Sequence, residues 1–96
     1  MLTDILTKLS KTDFVKYPTS STGRILFDIQ MWLIAKRYAV VEVFPIDDWD
    51  HWSFRIALED RVAPFFEPDY EKYQEFENYE SALIAGIHEA LKHIEL

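Results

Sequence analysis

The chain has no cysteine, only two glycines, and no apolar run long enough to cross a membrane. Each absence removes a class of function. Without a thiol there is no disulfide framework, no thiolate zinc site and no cysteine nucleophile. With glycine only at Gly23 and Gly86, no loop can cradle a phosphate, and no serine stands in a G-x-S-x-G elbow. A spanning helix needs about eighteen consecutive apolar residues, and none are found. The opening "MLTDILTKLSKTD" carries an acid and two lysines in its first eleven residues, where a signal peptide would be apolar. The expectation is a cytoplasmic protein with no membrane partner.

Positive charge is also scarce. Ten Lys and Arg stand against seventeen Asp and Glu, a formal net charge of −7. Such a balance opposes duplex binding, because Lys and Arg contacts to phosphate supply most non-specific affinity. The acid is concentrated. Residues 1–46 hold four acids and six bases (+2), residues 47–80 hold eleven and three (−8), and residues 81–96 hold two and one (−1). Ten of the fifteen aromatics lie between Phe44 and Tyr79, in or beside the acidic third.

Apolar residues are plentiful, at 49% of 96 residues, which takes the chain out of the disordered class and gives it one core. A single domain over 1–96 is expected, with an N-terminal helix and loop over 1–20 and an α+β core over 21–96. Leu2, Ile5, Leu6 and Leu9 follow the i, i+3, i+4, i+7 spacing of a short amphipathic helix. After "KYPTSSTG", a helix is predicted from about Thr22 to Arg37. It has two apolar stripes nearly opposite each other: Ile25, Ile29, Trp32 and Leu33 on one side, Phe27, Met31, Ile34 and Tyr38 on the other. A sheet would take one stripe. The other needs the N-terminal helix or another molecule, so the N-terminal helix is expected there and a homodimer stays open.

"YAVVEVFPI" and "WSFRIAL" read as two strands joined by a turn. Period two puts Trp52, Phe54, Ile56 and Leu58 on the covered face and Arg55 on the other. A short third strand is expected at 62–66 or at 72–76, since Pro64 and Pro68 exclude a long one. The last helix runs from Tyr79 to about Ile94 after an Asn78 N-cap, with Tyr79, Leu83, Gly86, Ile87, Ala90, Leu91 and Ile94 as its apolar stripe. Gly86 within that stripe predicts close backbone approach to the sheet or to the first long helix. The fold class is therefore α+β: a short helix, then α-β-β-(β)-α, with two helices on one face of a small antiparallel sheet. Double-stranded-RNA-binding domains share that order, which is a likeness of topology and not of function.

Reactive chemistry finds little footing. "GIHEALKH" suggests a zincin string, but His88 and His93 are five apart, about 140° around a helix instead of on one face. "DDWDHW", residues 47–52, gathers three carboxylates beside His51. It lacks the glycine and the alternating oxygen ligands of a calcium loop, and aspartates favour turns through bonds to their own backbone. It is read as a hairpin tip. No metal ligand, no cofactor and no catalytic residue is assigned, and the protein is expected to be non-enzymatic. Single-strand binders pair aromatics with a basic groove, and the last helix of a double-stranded-RNA binder starts basic. Here Glu77 and Glu80 stand at that start and no lysine or arginine follows until Lys92.

Acids interleaved with aromatics suit a protein partner better, because aromatics anchor interfaces and carboxylates steer toward basic surfaces. The candidate partner-binding residues are Asp47, Asp48, Trp49, Asp50, Glu67, Asp69, Tyr70 and Glu71, with a basic nucleic-acid-binding protein as the natural target. A nucleic-acid-binding module of double-stranded-RNA-binding-like topology is the alternative.

The ending "FENYESALIAGIHEALKHI" resembles the F-x-x-Y-E-x-A-L-x-x-G-I-x-E-A-L ending of small proteins of gut bacteria and their phages. It matches at Phe76, Tyr79, Glu80, Ala82, Leu83, Gly86, Ile87, Glu89, Ala90 and Leu91. "YPTSS" and "MWL", with Pro18, Thr19, Trp32 and Leu33, are similar to two further segments of those proteins, so the resemblance runs from Tyr17 onward. Residues 47–75 depart from it. That family has no assigned activity. The resemblance implies a small α+β domain of phage or mobile-element origin and no particular reaction. With that origin, the acidic, aromatic stretch over residues 47–80 makes a host nucleic-acid-binding or defence protein the expected target, engaged partly by imitating phosphate charge.

Overall fold

The computed structural model describes residues 2–15, 21–46, 50–58, 65–66 and 75–94. Leu2–Leu9 form α1, which buries Ile5 and Leu9. Thr22–Arg37 form α2. Ser21 caps it in extended backbone, its hydroxyl accepting the Arg24 N–H at 3.3 Å, so one donor left open by the first turn is satisfied. The helix stops at Tyr38, whose backbone is left-handed (φ 54°, ψ 36°) and whose N–H donates to the Leu33 carbonyl. Tyr38 is thus the cap, and the strand begins one residue later.

Ala39–Ile46 form β1 and His51–Leu58 form β2, paired antiparallel without a slip from Ala39 opposite Leu58 to Ile46 opposite His51. β3, Phe65–Phe66, lies on the other side of β2, opposite Ile56 and Ala57. Both sequence windows for a third strand therefore meet β2, since Phe76 also forms an isolated bridge with Trp52, each N–H donating to the other's carbonyl at 2.9 Å. The last helix, α3, is Tyr79–His93, and the Asn78 side chain accepts the Ser81 N–H at 2.7 Å.

The alternation in "WSFRIAL" sets the layers. Phe54, Ile56 and Leu58 are buried beside Ala39 and Val41 on the helix-covered face, while Arg55 turns the other way and pairs with Glu42 across the strands. α3 lies across β1 and β2, and α2 lies over β1 alongside α3, so both helices share that face. One core joins them, built around Ile29, Leu33, Ile56 and Ile87, and α1 contributes Ile5 and Leu9 to it. Gly86 is where α3 comes closest to the sheet, against Val41 and Phe54. No described helix is long and apolar enough to cross a membrane.

α2 folds as a two-sided helix, but α1 does not cover its outer stripe. Ile25, Leu26, Ile29, Trp32 and Leu33 are buried, whereas Phe27, Met31, Ile34 and Tyr38 are exposed. α1 packs on α3. Its two inward residues already fill the shared core, and an eight-residue helix with one apolar face has nothing left for a second surface. The segment after it returns to the inner side of α2. There the Trp32 indole N–H donates to Asp13 Oδ1 at 2.9 Å, the Phe14 ring meets Trp32 edge-on at 6.1 Å, and the Arg37 guanidinium lies 4.9 Å from the indole ring.

Candidate partner-binding surface

Of the residues the sequence nominates, Asp50 is described: it is exposed, in a turn, immediately before β2. Asp47, Asp48, Trp49, Glu67, Asp69, Tyr70 and Glu71 lie outside the described residues. What the fold brings to Asp50 is the entrance to α3. Because Phe76 bridges Trp52, residues 75–80 run beside the start of β2.

Two aromatic pairs form at this junction. The Trp52 and Tyr79 rings meet edge-to-face, centroids 5.5 Å apart and planes at 79°, and the Phe54 and Phe76 rings lie 6.1 Å apart at 44°. Phe54 belongs to the core, while Trp52 and Phe76 are half-buried. Tyr79 is a correction to the sequence reading, which put it in the buried stripe of the helix. As the first residue of α3 it precedes the stretch that meets the sheet; it contacts the rim residue Trp52 and remains exposed. An edge-to-face pair contributes roughly 0.5–1.5 kcal/mol beyond its buried area, so this one holds the two rings against each other.

The surroundings are acidic. Asp50, Glu75, Glu77 and Glu80 are all exposed, and neither 50–54 nor 75–91 contains a lysine or arginine. Arg55, the next base along β2, lies on the opposite face with Glu42. The arrangement is a half-buried aromatic platform with carboxylates on its margin, a surface suited to docking.

Among the described residues no group of three or more His, Asp or Glu side chains could hold a metal ion. At the far end of α3, the Glu89 carboxylate takes Lys92 Nζ and His93 Nε2, both at 3.3 Å, at the three- and four-residue spacings that share a helix face. The roles of Phe76 and Tyr79 escape a reading by sequence. Two aromatics on either side of the Asn78 N-cap were a signal, but their partner Trp52 lies more than twenty residues upstream, and such pairings leave no local mark.

Comparison with known protein families, with curated proteins and with solved structures finds no match to this chain.

Proposed function

We propose that this chain is a non-enzymatic accessory protein of a phage or mobile element that binds a host protein through its acidic, aromatic-rich end. The Trp52–Tyr79 pair bordered by Asp50, Glu75, Glu77 and Glu80 carries the reading. Fixed aromatic rings supply contact area at small entropic cost, and the carboxylates steer toward a basic surface. The target is a basic nucleic-acid-binding or defence protein of the host cytoplasm, and the carboxylates occupy the place of phosphates in its groove. The resemblance of residues 76–91 to small phage and gut-bacterial proteins gives the setting.

Capture of the target from host lysate, followed by affinity measurement across ionic strength, tests this. Affinity should fall as salt rises, and should fall again when Asp47, Asp48 and Asp50 are replaced together by asparagine. Binding indifferent to both removes charge mimicry. The helix–three strands–helix order keeps a second reading in view, a nucleic-acid-binding module of double-stranded-RNA-binding-like topology. A gel shift decides it: a tight complex with RNA or DNA at physiological salt would displace the first reading.

A further inference from the structure

The outer stripe of α2 is a second surface, distinct from the acidic end. Phe27 is 48% exposed, Met31 43%, Ile34 41% and Tyr38 61%, and no described element covers them. The residues that could have covered them are in use, since Ile5 and Leu9 of α1 are buried in the core. Roughly half of four residues offering ~200 Å² each leaves about 400 Å² of mostly apolar surface along one side of the helix. That is within the range where the largest patch of a monomer is often functional.

We infer that a second copy of this chain covers the stripe, with the two α2 helices antiparallel about a two-fold axis near Met31. The area fits such a pair. A standard interface buries about 800 Å² per partner, of which the apolar centre is only a part, and Arg24, Gln30 and Ala35 beside the stripe supply a rim.

Charge opposes a like copy less at this face than at the acidic end. The chain carries −7, with −8 in residues 47–80, so copies meeting through the acidic end repel. Along the stripe the adjacent charges are Arg24 and Asp28, an ion pair within one helix at 3.0 Å that presents no net charge to a twin. Lys36 reaches toward Asp13, and Arg37 lies over Trp32 on the inner side. With the axis near Met31, Phe27 of each copy meets the neighbourhood of Ile34 of the other, the reciprocal pairing of an isologous contact. Antiparallel α2 helices in addition set opposite dipole ends side by side.

The helices, and not the sheets, make this contact. β1 is at the edge of the sheet, next to α2, but its edge is guarded. Gln30 Nε2 donates to the Val41 carbonyl at 3.2 Å, Pro45 has no N–H to give, and Glu42 adds a charge.

Sedimentation equilibrium of the full chain over rising concentration is the experiment. The weight-average mass should climb from 11.4 kDa toward twice that value. Met31→Glu puts a carboxylate on the axis at a position exposed in the single copy. The variant should keep the parent's circular dichroism and dilute-solution melting, and remain monomeric throughout. Because the chain has no cysteine, Met31→Cys adds one thiol, which should oxidise to a linked dimer in much higher yield than Lys11→Cys on the exposed segment after α1. A parent that stays at the single-copy mass near millimolar concentration overturns the inference. So does a Met31→Glu variant that associates like the parent, equal cross-linking at both positions, or a monomeric parent whose capture of a host protein is lost in Met31→Glu.

Discussion

Replacing Gly86 with alanine measures how closely α3 is seated on the sheet. A Cβ at this position would stand 2.6 Å from Val41 Cγ1 and 3.1 and 3.2 Å from Cγ and Cβ of Phe54. Carbon atoms prefer about 3.5–4.0 Å, so the first distance cannot persist. Val41 is 5% exposed and β-branched, with its rotamer restricted by the strand, and Phe54 is 4% exposed beneath it. Neither can swing into solvent, so α3 must lift or Val41 must leave its rotamer. Overpacking of this kind costs roughly 1–3 kcal/mol. Alanine recovers about 1 kcal/mol of helix preference over glycine, which leaves a net loss of about 1 kcal/mol. For a domain of this size that lowers Tm by roughly 4–8 °C.

A net loss alone does not prove the contact, so the decisive variant is the double replacement with Val41→Ala. On its own Val41→Ala loses about 2 kcal/mol of burial and cavity energy. In the double variant the new Cβ enters the space vacated by Cγ1, and the helix preference of alanine is recovered without the clash. The double variant should then be no less stable than Val41→Ala alone, a coupling of about 1–2 kcal/mol. Urea unfolding of the four proteins gives the cycle, with equal m-values as the check that the unfolded states match. If Gly86→Ala is as stable as the parent, or the two losses simply add, the close approach is refuted.

Three further variants probe single features. Ser53 is fully buried and its Oγ has no hydrogen-bond partner among the described residues, so Ser53→Ala should stabilise by about 1 kcal/mol in thermal unfolding, by removing the desolvation cost of an unpaired hydroxyl. Asp13 is held below its ordinary 3.8, first by the Trp32 indole N–H and then by the Lys36 and Arg37 charges. A carboxyl depressed in the folded state stabilises above its unfolded value, and that contribution is lost as pH falls through the folded one, here below 3.8. A carbon-13 titration of the Asp13 carboxyl should therefore have its midpoint below 3.8 in the parent and a higher one in Trp32→Phe. Tyr38 holds a left-handed backbone with its side chain largely in water, so Tyr38→Gly should raise stability by about 1 kcal/mol at dilute concentration, and an unchanged or lower melting point would count against backbone strain there.

Much of this architecture can be read from the sequence, because each signal has a local cause. Asn78 before an apolar stripe marks the start of α3, alternation from Trp52 to Leu58 marks a half-covered strand, and a glycine inside the stripe marks close packing. Which surface Gly86 approaches is not local, and the sheet rather than α2 takes it. The fate of the outer α2 stripe is hidden for the same reason. A 3.6-residue pattern shows that a helix face is apolar and says nothing of what lies against it, so α1 could be assigned there although its own two inward residues are needed elsewhere. The candidate surface divides likewise. Asp50 is recognisable as a turn aspartate, but the meeting of Trp52 with Phe76 and Tyr79 depends on a pairing between distant segments that composition cannot register.

The fold also separates the two proposed surfaces by the force each uses, which makes them distinguishable in one titration. Contacts proposed for the acidic end join the Trp52 and Tyr79 rings to exposed charges that draw in a basic partner, and salt screens the charges with a Debye length of about 10 Å at 0.1 M and about 3 Å at 1 M. The stripe of Phe27, Met31 and Ile34 has only the internally paired Arg24–Asp28 beside it, and the copies that meet there carry a net charge of −7 each. Salt weakens that mutual repulsion and leaves apolar burial intact, and sulfate strengthens it. Raising sulfate should therefore drive copies together while releasing a basic partner from the acidic end. Two responses of the same sign would mean that one surface serves both purposes, and the separation argued from charge would fail.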